Sequence, residues 1–168
     1  MRRILPLLFV LASALALRAA NETAPVGPLA QDAFVSAVTR ELSTHFNLEG
    51  ELQVELLRAW NPPQMVAHDW QVTVTEYPAV AASAMLLRYR IVADGQVAAE
   101  STLPLRASLW CDVWIARQPL TYGATFDPAM LDTRRADLFR DRDALPAAVG
   151  DQGFIFARAV NPGRVVTW

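Results

Sequence analysis

The chain has 168 residues, of which 53% are hydrophobic, and it contains a single cysteine. Its 15 basic and 17 acidic side chains give a formal net charge of −2 at pH 7. This balance provides no overall positive field for nucleic acid, so we expect no nucleic-acid partner. One cysteine excludes both an intrachain disulfide and a metal site built from several thiolates.

The N-terminus has the pattern of a targeting segment. Two arginines precede residues 4–17, which form an almost unbroken apolar run. A helix that spans a bilayer needs ~20 apolar residues, so this shorter run is typical of a secretory signal peptide. We predict a signal peptide over residues 1–19 and a periplasmic protein without a stable membrane anchor after cleavage; Ala16 and Ala20 are alternative cleavage sites. A cut after Ala19 removes three arginines and lowers the net charge to −5.

One helix is predicted near the start of the mature chain, after an extended lead-in at residues 21–28. Its apolar residues recur at helical spacing, as expected for a face that packs on a core. They are Phe34, Val35, Val38, Leu42 and Phe46. Residues 47–50 end the helix with an asparagine and a glycine.

Four stretches in which apolar residues alternate with polar ones predict β-strands after the helix. They cover residues 52–56, 70–75, 85–92 and 97–105. Asp94 and Gly95, between the last two, are a strong hairpin signal. A helix followed by antiparallel strands predicts an α+β unit, mostly β, over residues 20–106. Residues 107–168 are predicted as a second unit that continues the first with little linker.

Residues 109–115 alternate in the same way and predict a further strand. Its first face holds Leu109, Cys111, Val113 and Ile115. Cys111 is therefore predicted to be a buried, unreactive thiol. Trp110 and Trp114 lie on the opposite face, where they would form an apolar patch for a protein partner. The alternative is that the helix or the neighbouring unit covers both indoles.

An imperfect repeat follows this strand. Residues 115–123 read Ile-Ala-Arg-Gln-Pro-Leu-Thr-Tyr-Gly, and residues 156–163 read Phe-Ala-Arg-Ala-Val-Asn-Pro-Gly. Each copy is typical of a strand end followed by a turn, with a glycine where the backbone needs a positive φ. These glycines are Gly123 and Gly163. Between the copies, Asp127 and Pro128 predict the start of a short helical turn.

The stretch at residues 132–143 interleaves acidic and basic side chains. Because opposite charges neutralise one another locally, we interpret this stretch as a solvated connecting loop. The alternative is a specificity surface in which Arg134 and Arg135 orient a partner through bidentate contacts.

No pattern in the sequence predicts catalysis, a cofactor or a metal ion. His45 and His68, the two histidines, lack the spaced partners of a nucleophilic triad or a metal site, so we expect surface or capping roles for both. Neither glycine turn has the spacing or the lysine of a phosphate-binding loop. We therefore predict a non-enzymatic protein that needs no cofactor.

The order of strand, glycine turn, helical turn, charged stretch and second glycine turn resembles the SAF domain, which has a β-clip fold. Within that superfamily, the sequence is similar to the FlgA family at residues 112–120, Gly123, residues 127–131 and residues 135–138. FlgA proteins are periplasmic chaperones for assembly of the flagellar P ring. The resemblance implies a chaperone that binds P-ring subunits before they polymerise.

The resemblance leaves other hypotheses open. The same domain occurs in pilus-assembly proteins, and in sialic-acid synthases as a carbohydrate-binding or enzyme-accessory module. Arg117, Tyr122 and Arg158 lie near the turns, so they would contact a client in a chaperone and a sugar acid in an accessory module.

Two further expectations follow from the family. FlgA proteins usually continue past the second glycine turn with a β-rich segment, whereas this chain stops at Trp168. Either the sequence is truncated, or this is a short member that completes its barrel differently. A missing segment would leave an unpaired strand edge, and such an edge invites association. FlgA relatives are also thought to change the angle between their parts, which implies a hinge near residues 106–109.

Overall fold

A computed structural model describes residues 27–150 and 153–168. The predicted signal peptide lies outside the described residues. Within the described ranges, no helix combines the length and the apolar character that crossing a bilayer would need.

One helix and five antiparallel strands make up the regular structure of the described residues and confirm the predicted α+β, mostly β class. They are α1 (Gln31–His45), β1 (Glu51–Leu56), β2 (Trp70–Glu76), β3 (Ala84–Ala93), β4 (Gln96–Ala116) and β5 (Leu131–Asp137). A single 3-10 turn, Pro128–Met130, precedes β5, and the carboxylate of Asp127 caps it by accepting a hydrogen bond from the N–H of Ala129 at 2.9 Å. This turn is the helical turn that the sequence predicts.

Helix α1 fills the inside of the sheet. Phe34, Val38 and Leu42 are fully buried at helical spacing, as predicted. The sheet has the strand order β1-β4-β3-β2, and α1 contacts both outermost strands, β1 and β2. The sheet therefore curls around the helix, and the strand faces predicted to be apolar point towards it.

The hairpin between β3 and β4 has the predicted turn. Asp94 and Gly95 have φ values of 47° and 82°, and Ala93 lies opposite Gln96. Two consecutive residues with positive φ match the twist of the flanking strands in a two-residue turn.

Strand β4 differs from the prediction. The sequence predicts one strand that ends at residue 105 and another that begins at residue 109, whereas the structure has one strand of 21 residues. Ala107, which is 2% exposed, continues the buried row between Leu105 and Leu109. An alanine is too small to give a clear apolar signal, so the sequence did not predict that the strand is continuous. The predicted boundary between units 20–106 and 107–168 falls inside this strand.

The buried side chains nevertheless divide along β4. One cluster includes the α1 face and the first part of the strand as far as Leu109. A second cluster lies around the glycine turns and begins at Ala116. Val113 forms a small third cluster between them with Ala136 and Ala144.

The interpretation of residues 132–143 as a solvated loop is wrong for its first half. Residues 132–137 belong to β5, which pairs with residues 110–116 of β4. Only Leu131, Ala136 and Asp137 of β5 are buried, so an apolar alternation is missing from the sequence. Charged side chains instead pair with residues of neighbouring strands on the solvent face, as Arg135 does with Glu51.

Gly50 provides a test of how closely the chain approaches β4. Its φ is +128°, and a Cβ there would lie 2.8 Å from the carbonyl oxygen of Trp110. We expect Gly50→Ala to lower the free energy of unfolding by about 3 kcal/mol, at the upper end for a strained residue, because steric conflict adds to strain. Gly95→Ala meets nothing within 4 Å, so this control should lose only about 1 kcal/mol. Equal losses in urea unfolding would contradict this account.

Candidate functional site

The two copies of the sequence repeat fold into paired corners. We call residues 114–126 the first corner, residues 154–166 the second corner, and the two together the clip. At the centre of the clip, Leu120 and Val160 exchange two main-chain hydrogen bonds of 2.9 and 3.0 Å. The glycines of the repeat have φ values of +78° and +76°, which confirms the predicted positive-φ turns.

The hydrogen bonds around this centre occur in matched pairs. Each bond in one corner has a counterpart in which the corresponding residues of the two corners exchange roles. The pairs are Gly163 N–H to Ala116 O (2.7 Å) with Gly123 N–H to Phe156 O (2.9 Å), Ala116 N–H to Arg164 O with Phe156 N–H to Ala124 O (both 2.9 Å), and Val166 N–H to Trp114 O with Phe126 N–H to Phe154 O (both 2.8 Å). The clip therefore has a local twofold axis that passes through the central pair.

The twofold axis corrects the alignment of the repeat. The sequence aligns Ala116 and Arg117 with Ala157 and Arg158, whereas the hydrogen bonds make Ala157 the counterpart of Arg117. Arg158 therefore lies one residue after the position that is equivalent to Arg117. They also differ in their partners, because Arg117 binds the carboxylate of Asp132 at 2.7 Å and Arg158 donates to the hydroxyl of Thr167.

Trp114 belongs to the interior of the clip. It is half-buried, its indole N–H donates to the carbonyl of Val149 at 3.2 Å, and its ring meets Phe126 edge-on at a centroid distance of 5.9 Å. Its neighbours in the buried cluster include Ala116, Leu131 and Phe156. Packing within the clip therefore explains the burial of the Trp114 indole, and no external partner is needed to cover it.

Trp110 has different surroundings. The guanidinium carbon of Arg135 lies 5.8 Å from its ring centroid, and the same guanidinium forms an ion pair with Glu51 on β1. The structure thus brings Trp110 and Arg135 together and gives Trp114 a separate packing environment. A partner-binding role for Trp110 stays a prediction.

Two other predicted partner-binding residues are exposed. Tyr122 is 78% exposed in the turn of the first corner. Arg134 points outwards from β5. Their contribution to binding stays a prediction.

A cleft of about 310 Å³ opens beside the second corner. Buried Phe126 and Leu145 are at its base, and exposed Ile155 and Trp168 are at its rim. The full lining comprises Phe126, Leu145, residues 154–158, Val160 and residues 166–168. Arg158 is the only charged side chain of this lining. Sequence reasoning missed the cleft because residues 154–160 form isolated bridges without the alternation of a regular strand.

The cysteine and the two histidines each lie beside side chains of the fold. Burial and the charge of Asp112 raise the pKa of the Cys111 thiol. The thiol is half-buried rather than buried as predicted, because it lines a surface groove beside Gly50 and Leu138. Its lack of reactivity stays a prediction. His45 stacks on Tyr77 with a centroid distance of 3.6 Å, and His68 lies 3.7 Å from the carboxylate of Asp94. Residues 27–150 and 153–168 contain no cluster of three or more metal-ligating side chains.

Comparisons with known proteins find similarity in the fold. No family model and no curated protein matches the sequence. The structure is similar to Salmonella FlgA in its closed form, with a TM-score of 0.50 and 16% identity, over 79% of this chain and 65% of that one. It is also similar to the flagellar protein FlgA from Thermotoga maritima, with a TM-score of 0.50 and 13% identity, over 82% of this chain and 50% of that one. The chain spans about two thirds and about half of these proteins, and its fold is FlgA-like, as the motifs predicted.

The two tryptophans should differ in their effect on stability. We expect Trp114→Ala to lower the free energy of unfolding by about 3 kcal/mol, because it removes a core aromatic ring. Trp110→Ala should cost about 1 kcal/mol, since Trp110, although also half-buried, belongs to none of the hydrophobic clusters of the described residues and loses mainly its cation–π contact with exposed Arg135. Urea unfolding of both variants measures the difference, and a larger loss for Trp110→Ala would contradict the assignment of Trp114 to the core.

The ion pair between Arg117 and Asp132 predicts a pH effect. A hydrogen bond from the Arg117 guanidinium lowers the pKa of the Asp132 carboxyl, so the pair stabilises the fold near neutral pH. That contribution is lost as the pH falls through the lowered pKa. Carbon-13 NMR titration should show the pKa of Asp132 returning towards its ordinary value in Arg117→Gln. The control Arg158→Gln should leave this pKa unchanged, and a shift in both variants would contradict the pairing.

Proposed function

We propose that this protein is a periplasmic assembly chaperone that binds a flagellar P-ring subunit before the subunit polymerises. The observation that carries the proposal is the FlgA-like fold, which extends over about four fifths of the chain and includes both the curled sheet and the clip. The P-ring role is the one that the family resemblance implies.

The surface of the clip supports a protein partner. Tyr122 and Ile155 are each more than 60% exposed, which is unusual for side chains of this size. A chaperone needs such apolar contact area, and it needs moderate affinity, because a very tight complex would prevent release of the client. Neither requirement involves a cofactor or a catalytic dyad.

The carbohydrate-binding alternative has less support. A sugar acid needs cations that are free to receive its carboxylate. Arg117 already pairs with Asp132, and Arg158 lies one residue out of step with it. The two arginines therefore do not form a symmetric pair that could hold one small anion.

Deletion of the gene tests the proposed function. We expect basal bodies without P rings in the deletion strain, with restoration by the wild-type gene, and we expect the tagged protein to capture the P-ring subunit from a periplasmic extract. Intact P rings after deletion would contradict the proposal. Saturable binding of sialic acid by the purified protein, with no capture of the subunit, would favour the carbohydrate-binding alternative.

A further inference from the structure

A groove of about 490 Å³ lies beside the middle of β4, between the buried cluster of the sheet and the small cluster around Val113. We call it the junction groove. Its floor is Leu109 and Cys111, which share one face of the strand. One wall is residues 47–50, which connect α1 to β1, and the other wall is Leu138 with residues 146–148.

Gly50 keeps the junction groove open. A Cβ at this position would lie 3.3 Å from the Cβ of Cys111 and 3.4 Å from a methyl group of Leu109, so a side chain there would rest against the floor. The half-buried state of Cys111 shows that the described residues leave this floor open to solvent. The groove is therefore a built feature of the surface, of a volume that binding clefts commonly have.

The groove combines apolar walls with a negative rim. Leu48, Leu138 and Pro146 are half-buried in its walls. Glu49 and Asp112 supply all the charge of the lining, and both residues are exposed. A concave apolar surface with a charged rim is typical of a site for a protein partner.

The negative rim is not neutralised by the described residues. Neither Glu49 nor Asp112 forms an ion pair within residues 27–150 and 153–168. Arg135 lies opposite Asp112 in the register of β4 and β5, but its guanidinium pairs with Glu51 instead. After burial, the charge of Asp112 is the second cause that raises the pKa of the Cys111 thiol, so the field of the rim reaches the floor.

The final residues of the chain run away from the groove. The N–H of Leu145 donates to the carbonyl of Val166, and the N–H of Trp168 donates to the carbonyl of Asp143. The two segments are therefore antiparallel, and the chain direction at Trp168 leads away from the wall at residues 146–148. A partner of complementary charge is thus the occupant that the groove favours.

We propose that the junction groove binds a segment of the client in which an apolar side chain is flanked by a lysine or an arginine. The apolar side chain packs on Leu109 and Cys111, and the basic side chain pairs with the carboxylates of the rim. Apolar contact supplies affinity, while opposite charges fix the orientation and raise the rate of association. The inference rests on the proposed function, because it assigns the client of that chaperone to this groove.

The single cysteine gives a direct readout of the groove. We expect N-ethylmaleimide to modify Cys111 fully in the free protein, and saturating purified P-ring subunit to slow this reaction by about tenfold or more, because the client covers the floor. Mass spectrometry measures the modified fraction. Binding of the subunit without protection of the thiol would overturn the proposal. A folded free protein that does not react, when the unfolded chain does, would also overturn it, because the groove would already be covered.

Charge variants test the rim. We expect Glu49→Lys to weaken binding of the P-ring subunit by about tenfold or more, and Asp112→Asn to weaken it less, because it removes a charge without reversing it. The matched control is Asp141→Lys, an exposed acidic residue outside the groove lining with the same change in charge, which should bind as the wild type does. Circular dichroism confirms that the variants fold. Equal affinity of all four proteins would overturn the proposal, while the proposed function would stand.

A peptide probe separates failure of the inference from failure of the proposed function. The probe is a peptide of eight residues with a leucine between two lysines, and its control has glutamates in place of the lysines. If the lysine peptide protects Cys111 but the protein binds no P-ring subunit, the proposed function fails and the groove assignment is supported. Equal protection by both peptides would overturn the assignment. A dimer in analytical ultracentrifugation that protects Cys111 without a client would overturn it too, because a second copy would then be the occupant.

Discussion

The fold depends on one uninterrupted strand that two hydrophobic clusters share. On one side of β4, pairing with β3 ends at Arg106 and pairing with β5 begins at Trp110, so Leu109 falls in a gap. The carboxylate of Asp137, only 5% exposed, accepts the N–H of Leu109 at 3.0 Å and the N–H of Phe139 at the same distance. A buried acidic side chain thus continues the hydrogen-bond ladder where a strand is missing.

This arrangement bears on the hinge that the resemblance implies near residues 106–109. That segment pairs with β1 along one side and meets Asp137 on the other. A change in angle between the sheet and the clip would therefore have to bend a paired strand rather than rotate a free linker. Within the clip, the twofold axis relates two similar edges, and β5 covers the edge of the first corner.

The sequence predicts those elements in which one residue type carries a clear physical signal. The period of Phe34, Val38 and Leu42 predicts α1, and the glycine and Asp-Gly turns are predicted because few other residues tolerate a positive φ. The sequence does not predict strand β5, because ion pairs, rather than apolar side chains, occupy its outer face. The sequence does not predict the cleft, because the cleft arises from the twofold pairing of distant segments, which no local pattern encodes.

The register of β1 has a consequence for how the chain reaches its native state. Among the residues that the structure describes, residues 51–56 pair only with residues 105–110 of β4, so most of the sheet lies between them along the chain. The loop that joins them must close before the pairing forms, and such non-local contacts slow folding. During synthesis, β1 emerges before its partner segment of β4 has been made, whereas α1 is already present. The early chain therefore has exposed apolar surface for longer than a hairpin would, and it is then most susceptible to aggregation and proteolysis.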